Sequence, residues 1–258
     1  MTNSQPIGLF DSGIGGTSIW KEIHQLLPNE NTIYLADTKN APYGQRSKEE
    51  IIALSIKNTE FLLEQNSKII VVACNTATTN AIKELREKFD VPFIGIEPAI
   101  KPAAKNSKTQ TIGILATKGT LNSELFNKTA EKFQDTTIIE QVGFNLVKLI
   151  EEGKMHSEEM TKLLYAYLKP MIEANIDYLV LGCSHYPYLI PQIKQILPKH
   201  IQIIDSGEAV AKQTQKILEE KIGLNYETNS SSIFYTNADS KVLTEILKNK
   251  YPVIQKDF

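Results

Sequence analysis

Val71-Val72-Ala73-Cys74-Asn75-Thr76-Ala77-Thr78 is a short apolar run that passes directly into a polar loop, and it has a counterpart in Leu179-Val180-Leu181-Gly182-Cys183-Ser184-His185-Tyr186-Pro187. Cys74 and Cys183 are the only thiols among 258 residues, and each falls where an apolar strand is expected to end. In open parallel α/β sheets, ligands bind in the crevice outside the carboxyl ends of the strands, so both thiols stand where chemistry is expected. Two thiols facing one small molecule from two sides suggest two-base proton transfer. A free cysteine in a strand is also an ordinary core residue. The matched placement of these two, with Asn75-Thr76 after one and Ser184-His185 after the other, weighs against that plainer reading.

Outward from these stretches, short apolar runs alternate with longer segments of helical period. Strands are expected at Ile7 to Phe10, Thr32 to Leu35, Ile69 to Ala73, Phe93 to Ile96, Thr111 to Leu115, Thr137 to Gln141, Tyr178 to Leu181, Ile201 to Ile204 and Ile233 to Tyr235. Between Thr17 and Leu27 the apolar Ile19, Trp20, Ile23, Leu26 and Leu27 recur at helical spacing and stop at Pro28. Ser47 with Glu50 reads as a capping box, and Leu163, Leu164, Tyr167, Leu168, Met171 and Ile172 draw an apolar stripe in which Pro170 is a candidate kink. Such alternation predicts an α/β fold with mostly parallel sheets and helices on both faces.

A weak repeat relates the halves. Ile7-Gly8-Leu9-Phe10 matches Ile112-Gly113-Ile114-Leu115 at a shift of 105, Cys74 matches Cys183 at 109, and Phe93-Ile94 matches Ile203-Ile204 at 110. Three ordered landmarks at nearly one offset predict two similar α/β domains related by pseudo-two-fold symmetry, with the active site in the cleft between them. The expected division is 1–97 plus 207–258 for the Cys74 side and 98–206 for the Cys183 side, with the crossover near Glu97 to Pro102.

Twenty-eight basic and 30 acidic residues give a net charge of −2, so composition points to neither nucleic acid nor an anionic membrane as partner. Met1 to Pro6 lacks the basic and apolar regions of a signal peptide, and no apolar run approaches the roughly 18 residues of a membrane span. The cytoplasm is therefore the expected compartment, and there the thiols should be free rather than joined. Two cysteines 109 residues apart with one nearby histidine lack metal-ligand spacing, so no metal is expected. Neither a P-loop nor a G-x-S-x-G elbow is present, and the expected chemistry uses no cofactor.

Asp11-Ser12-Gly13-Ile14-Gly15-Gly16 ends the first strand and opens a helix, where exposed amides suit an anionic ligand such as a carboxylate or phosphate. A degraded dinucleotide motif is the alternative, with Asp37 as its ribose contact, but Asp11 would stand beside the pyrophosphate and argues against it. The loop from Asp37 to Gly44 reads equally as a simple connector and as a functional strand-end loop. Asn75, Thr76, Thr78 and Thr79 can cap a helix or hold a carboxylate, and His185 is the evident tuner of Cys183.

These residues also resemble a known family. Asp11-Ser12-Gly13-x-Gly15-Gly16, Ala36-Asp37, Pro42-Tyr43-Gly44, Ala73-Cys74-Asn75-Thr76-Ala77, Gly95-Ile96-Glu97-Pro98, Thr117-x-Gly119-Thr120, Gly182-Cys183-Ser184-His185-Tyr186-Pro187 and Ile204-Asp205-Ser206 together resemble the glutamate racemases, within the cofactor-independent aspartate/glutamate racemase superfamily. The resemblance implies interconversion of L- and D-glutamate, supplying D-glutamate for peptidoglycan. It implies that Cys74 acts on D-glutamate and Cys183 on L-glutamate, assisted by Asp11, His185 and Asp37. Ser12, Tyr43, Gly44, Asn75, Thr76, Thr117, Thr120 and Ser184, with Asp11 and His185, would hold the substrate. It leaves room for a homodimer without settling one. Thr17 stands where leucine is common, Ala116 where glycine is frequent and Ser184 where threonine is usual; none of these removes a reactive group. A racemase of aspartate or another amino acid, and a non-catalytic protein that holds an anionic metabolite in the cleft, are the competing readings.

Overall fold

The computed structural model describes residues 4–258. Residues 1–3, part of the Met1 to Pro6 stretch read above for a leader, lie outside the described residues. The strands are β1 (Ile7–Asp11), β2 (Thr32–Ala36), β3 (Ile69–Val72), β4 (Phe93–Gly95), β5 (Thr111–Ala116), β6 (Thr137–Val142), β7 (Tyr178–Gly182), β8 (Gln202–Ile204), β9 (Ser232–Thr236) and β10 (Val253–Gln255). The helices are α1 (Thr17–Leu26), α2 (Lys48–Glu64), α3 (Asn75–Lys88), α4 (Ile100–Asn106), α5 (Lys118–Leu121), α6 (Glu124–Ala130), α7 (Leu146–Glu151), α8 (Glu158–Glu173), α9 (Ile190–Ile196), α10 (Gly207–Ile217) and α11 (Lys241–Ile246).

Two wholly parallel sheets result, ordered β10-β9-β2-β1-β3-β4 and β6-β5-β7-β8. The order β2-β1-β3-β4 repeats rank for rank in β6-β5-β7-β8, which gives the weak sequence repeat its structural form. In such an order the direction of winding reverses between the first and third strands of each sheet, and the crevice at their carboxyl ends is the usual ligand site. Asp11 and Cys74 stand at that point in one sheet, Thr117 and Cys183 in the other.

Alternation along the strands builds the core. Ile7, Leu9, Ile69 and Val71 face Ile19, Trp20 and Ile23 of α1, whereas Phe10, Leu35, Ile70 and Val72 face Ile51, Leu62, Ala81 and Leu85 of α2 and α3. Ile112, Ile114 and Val180 pack with Ile100 and Phe126, but Leu115, Leu179 and Leu181 join the cluster of Ile7 and Leu9. One apolar core thus runs through both sheets, and each large aliphatic side chain fully buried there contributes about 1.5–3 kcal/mol.

The expected strands form within a residue of their predicted ends. The Ser47 capping box closes on α2, with Ser47 N–H donating to Glu50 at 2.9 Å and Glu50 N–H to the Ser47 hydroxyl at 3.2 Å. Helix α8 continues through Pro170 to Glu173. Leu26, read with the buried stripe of α1, is instead 38% exposed. Strand β10 was not expected: it is a three-residue edge on β9 with Ile254 and Gln255 exposed, too short to show a period. After the second crossover α10 packs on α1, and the Ser206 hydroxyl donates to the carbonyl of Glu97, which ties the two crossovers together. Among the described residues, no helix is long and apolar enough to cross a membrane.

Candidate active site

Asp11 is the last residue of β1, buried in the middle of its sheet. The chain must turn away from the sheet there, and the turn aims its amides inward. Gly13 and Gly16 donate their N–H groups to the Asp11 carboxylate at 3.2 and 3.0 Å, and Ile14 donates to Glu151 Oε1 at 2.7 Å. Three of the amides expected to hold an anionic ligand, those of Gly13, Ile14 and Gly16, are thus taken by the chain's own carboxylates, which counts against the phosphate reading of the loop. The glycines have a different cause: a Cβ on Gly13 would lie 2.0 Å from Glu151 Oε1, and one on Gly15 2.1 Å from His185 Nδ1. They let two groups from the other half approach the backbone.

His185 lies just beyond β7 and is buried. Its Nε2 is 2.5 Å from Glu151 Oε1, while its Nδ1 faces Cys183 Sγ at 3.8 Å, Ser184 Oγ at 3.3 Å and Asp11 Oδ2 at 4.0 Å. Gly15 N–H also points at Nε2, at 3.3 Å. Nε2 cannot accept from Gly15 and donate to Glu151 at once, and the short contact with a carboxylate is the stronger. We therefore assign the Nε2 proton to Glu151. Burial works against a charge on the ring, but the hydrogen bonds to Cys183 and Glu151 and the Asp11 charge outweigh it and raise the pKa well above 6.5. These partners favour the imidazolium form of His185. Asp11 is itself raised, chiefly by burial, against the lowering effect of His185, Gly16 and the Ser184 hydroxyl that donates to it at 3.0 Å.

Cys74 occupies the cap position of α3 and accepts the Ala77 N–H at 3.4 Å, with the Ser12 hydroxyl 3.8 Å away. Burial first, and then the charge of Asp11, push its thiol well above 9.0, against the smaller help of Ala77 and Ser12. Cys74 is a protonated thiol.

One cavity of about 10 Å³ between the sheets is lined by both thiols, with Ser12, Tyr43, Gly44, Asn75, Thr76, Thr117, Ser184 and His185. Pro42 and Val147 complete it. The Asn75 side chain is buried on this wall with neither its Nδ2 nor its Oδ1 paired within the protein, so both are free for a ligand. Among the described residues no group of three or more His, Cys, Asp or Glu is arranged to hold a metal.

Asp11, Asp37 and Thr120 stand behind this wall rather than in it. Asp37 accepts from the Tyr43 hydroxyl at 2.5 Å, from Asn40 at 2.8 Å and from Asn237 at 2.5 Å, and Asn58 donates to Tyr43 at 3.0 Å. It reaches the cavity through Tyr43, whose phenol burial and Asp37 hold protonated. Thr120 braces Thr76 and Thr117 at 3.3 and 3.0 Å, and Thr76 meets Thr117 at 2.8 Å across the sheets. Glu151 is absent from the sequence reading. It ends α7, 34 residues before His185, and no local pattern marks it.

The Asp/Glu/Hydantoin racemase family model matches residues 7–214. The glutamate racemase of Herpetosiphon aurantiacus is 45% identical over 230 residues, 89% of this chain and 91% of that one. The structure of Escherichia coli glutamate racemase in complex with L-glutamate and the activator UDP-MurNAc-ala superposes with a TM-score of 0.88 at 33% identity, covering 98% of both chains. That of the Francisella tularensis glutamate racemase in complex with D-glutamate gives 0.86 at 29% identity, covering 99% of this chain and 98% of that one. The chain therefore belongs to the Asp/Glu/hydantoin racemase family, among its glutamate racemases, and is an amino-acid racemase.

Proposed function

We propose that the chain interconverts L- and D-glutamate without a cofactor by carrying the α-proton between two cysteines, Cys183 acting on the L enantiomer and Cys74 on the D enantiomer. The observation that carries this reading is that both thiols, brought from different sheets, line one cavity. From L to D, the Cys183 sulfur carries the negative charge, opposite the His185 imidazolium at 3.8 Å. It takes the α-proton, leaving an electron pair on Cα. The Cys74 thiol then gives its own proton to the opposite face. One proton leaves carbon and one returns, so the enzyme ends with the charge on Cys74, set for the reverse reaction. Asp11 and Glu151 maintain the imidazolium, and Asp37 fixes Tyr43.

The substrate contacts fall to Ser12, Tyr43, Gly44, Asn75, Thr76, Thr117 and Ser184, with Thr120 as a brace. A carbanion beside a carboxylate needs preorganised donors and excluded water more than one strong base, and the donors that line this small cavity support that need. The E. coli and F. tularensis relatives, crystallised with L- and D-glutamate, support the choice of substrate. We assign the D-glutamate to peptidoglycan synthesis and the reaction to the cytoplasm, where two neighbouring thiols stay reduced. The strand membership of the two sheets supports the division into 1–97 plus 207–258 and 98–206.

The test is exchange of the α-proton of each enantiomer in deuterated water, under reducing conditions and with nothing else added. Exchange accompanied by loss of optical rotation is expected; failure with both enantiomers removes the proposal. In a substrate panel aspartate should lag by about 1–3 kcal/mol in transition-state binding, the usual cost of one missing methylene.

A further inference from the structure

Three cavities with shared walls lie along the cleft that holds the thiols. The outer one encloses about 380 Å³, the middle about 30 Å³ and the inner about 10 Å³. Gly44 lines all three; Gln45, Lys118 and Phe144 are shared by the outer and middle ones, Thr117 and Val147 by the middle and inner ones. Charge is distributed unevenly along this path. No lysine or arginine lines the inner cavity, whereas Arg46, Lys48 and Lys118 line the outer one and Lys148 the middle one.

Three of those cations are already answered by acids. Arg46 lies 3.6 Å from Glu50, Lys48 3.4 Å from Glu84 and Lys148 3.9 Å from Glu152. Lys118 is exposed and has no ion-pair partner among the described residues. It follows Thr117, a wall of the inner cavity, directly in the chain. The chain as a whole carries −2, so its overall field repels an anion. Lys118 places an unpaired cation among the walls of the outer cavity.

We propose that the outer chamber is a capture subsite for a free acidic amino acid, held at Lys118 before it passes Gly44 and Thr117 to the thiols. This rests on the reading of the inner cavity as one that acts on such an amino acid. Placing the lysine outside, with His185 as the one basic side chain on the inner walls, has a physical advantage. A lysine in the inner cavity would bind substrate and product tightly and alike, raising affinity without favouring the transition state. Outside, it raises the rate of encounter and leaves the orienting to the donors of the inner cavity. Capture at Lys118 asks only for a carboxylate and not for a configuration at Cα, so L and D forms are expected to bind alike.

The direct test is a titration of L- or D-glutamate into the full chain carrying 13C-labelled lysine, the Lys118 signal being assigned by its loss in Lys118→Gln. The Lys118 signal should move saturably and by the same amount with either enantiomer, in the wild type and in a Cys74→Ser, Cys183→Ser double variant that cannot turn over. High salt should weaken the shift, and free lysine should not produce it. An unmoved signal, or one that moves equally with free lysine, overturns the proposal.

The kinetic arm expects Lys118→Gln to lower kcat/KM for glutamate about threefold to tenfold at low ionic strength, the low end of steering effects. kcat should stay within about twofold, and the deficit should close as salt screens the charge. A parallel fall in kcat, or no loss at low salt, counts against it. If the wild type exchanges no α-proton, the racemase reading fails, while the lysine titration still decides the capture subsite.

Discussion

Cys74 and Cys183 end equivalent strands in sheets of the same order, yet their surroundings differ in charge. Cys74 meets neutral donors, the Ala77 amide and the Ser12 hydroxyl, and burial with Asp11 keeps it a thiol. Cys183 meets an imidazolium that Glu151 and Asp11 sustain. The repeated fold supplies two matching positions, and the loops after the strands give the two thiols different electrostatic surroundings. Because the enantiomers are equally stable, kcat/KM must be equal in both directions, so the asymmetry can surface only in kcat, KM or isotope exchange.

Removing either thiol should have the largest effect. Cys74→Ser and Cys183→Ser should each lower racemisation by about a thousandfold or more, toward the upper range for losing an acid or base. Exchange separates them: Cys74→Ser should still exchange the α-proton of L-glutamate slowly without inverting it, and Cys183→Ser that of D-glutamate. Exchange from the opposite enantiomers would reverse the assignment.

Glu151→Gln is next, with a loss of roughly 10- to 100-fold in kcat/KM. Removing one of the interactions that raise His185 should also move the alkaline limb of the pH profile to lower pH, whereas Ser12→Ala on the other side should leave that limb in place. A limb that stays put in Glu151→Gln breaks the proposed imidazolium.

Gly15→Ala tests the close approach of the two halves. The new Cβ must displace the His185 ring, at a cost of about 1–3 kcal/mol of stability from overpacking, read as a lowered urea midpoint. Of the single substitutions, His185→Gln should give the subtlest signature. A folded pKa raised above its unfolded value contributes stability that is complete below about 6.5 and is lost as pH climbs through the raised value. The gap in unfolding midpoint between wild type and His185→Gln should therefore narrow as pH rises above the ordinary imidazole value of about 6.5. A gap that widens with pH contradicts a charged His185.

Much of this was legible in local pattern. Continuous apolar runs such as Ile69 to Val72, buried on both faces, and helical stripes such as Ile19, Trp20 and Ile23 are settled within a few residues of chain. The strand ends carrying Cys74 and Cys183 followed from the same runs, and the family resemblance joined Tyr43, Asn75, Thr76 and Thr117 to them as cavity walls. Tertiary structure alone decided the partners. Glu151 meets Ile14 across 137 residues and His185 across 34, Ser184 meets Asp11 across 173, and Asn237 reaches Asp37 across 200. Such contacts leave no spacing to read, because a polar pair is selected by the geometry of two packed sheets and not by its neighbours in the chain. For the same reason the glycine loop, which by its composition suited a bound anion, proved to be shaped around the protein's own carboxylates and imidazole.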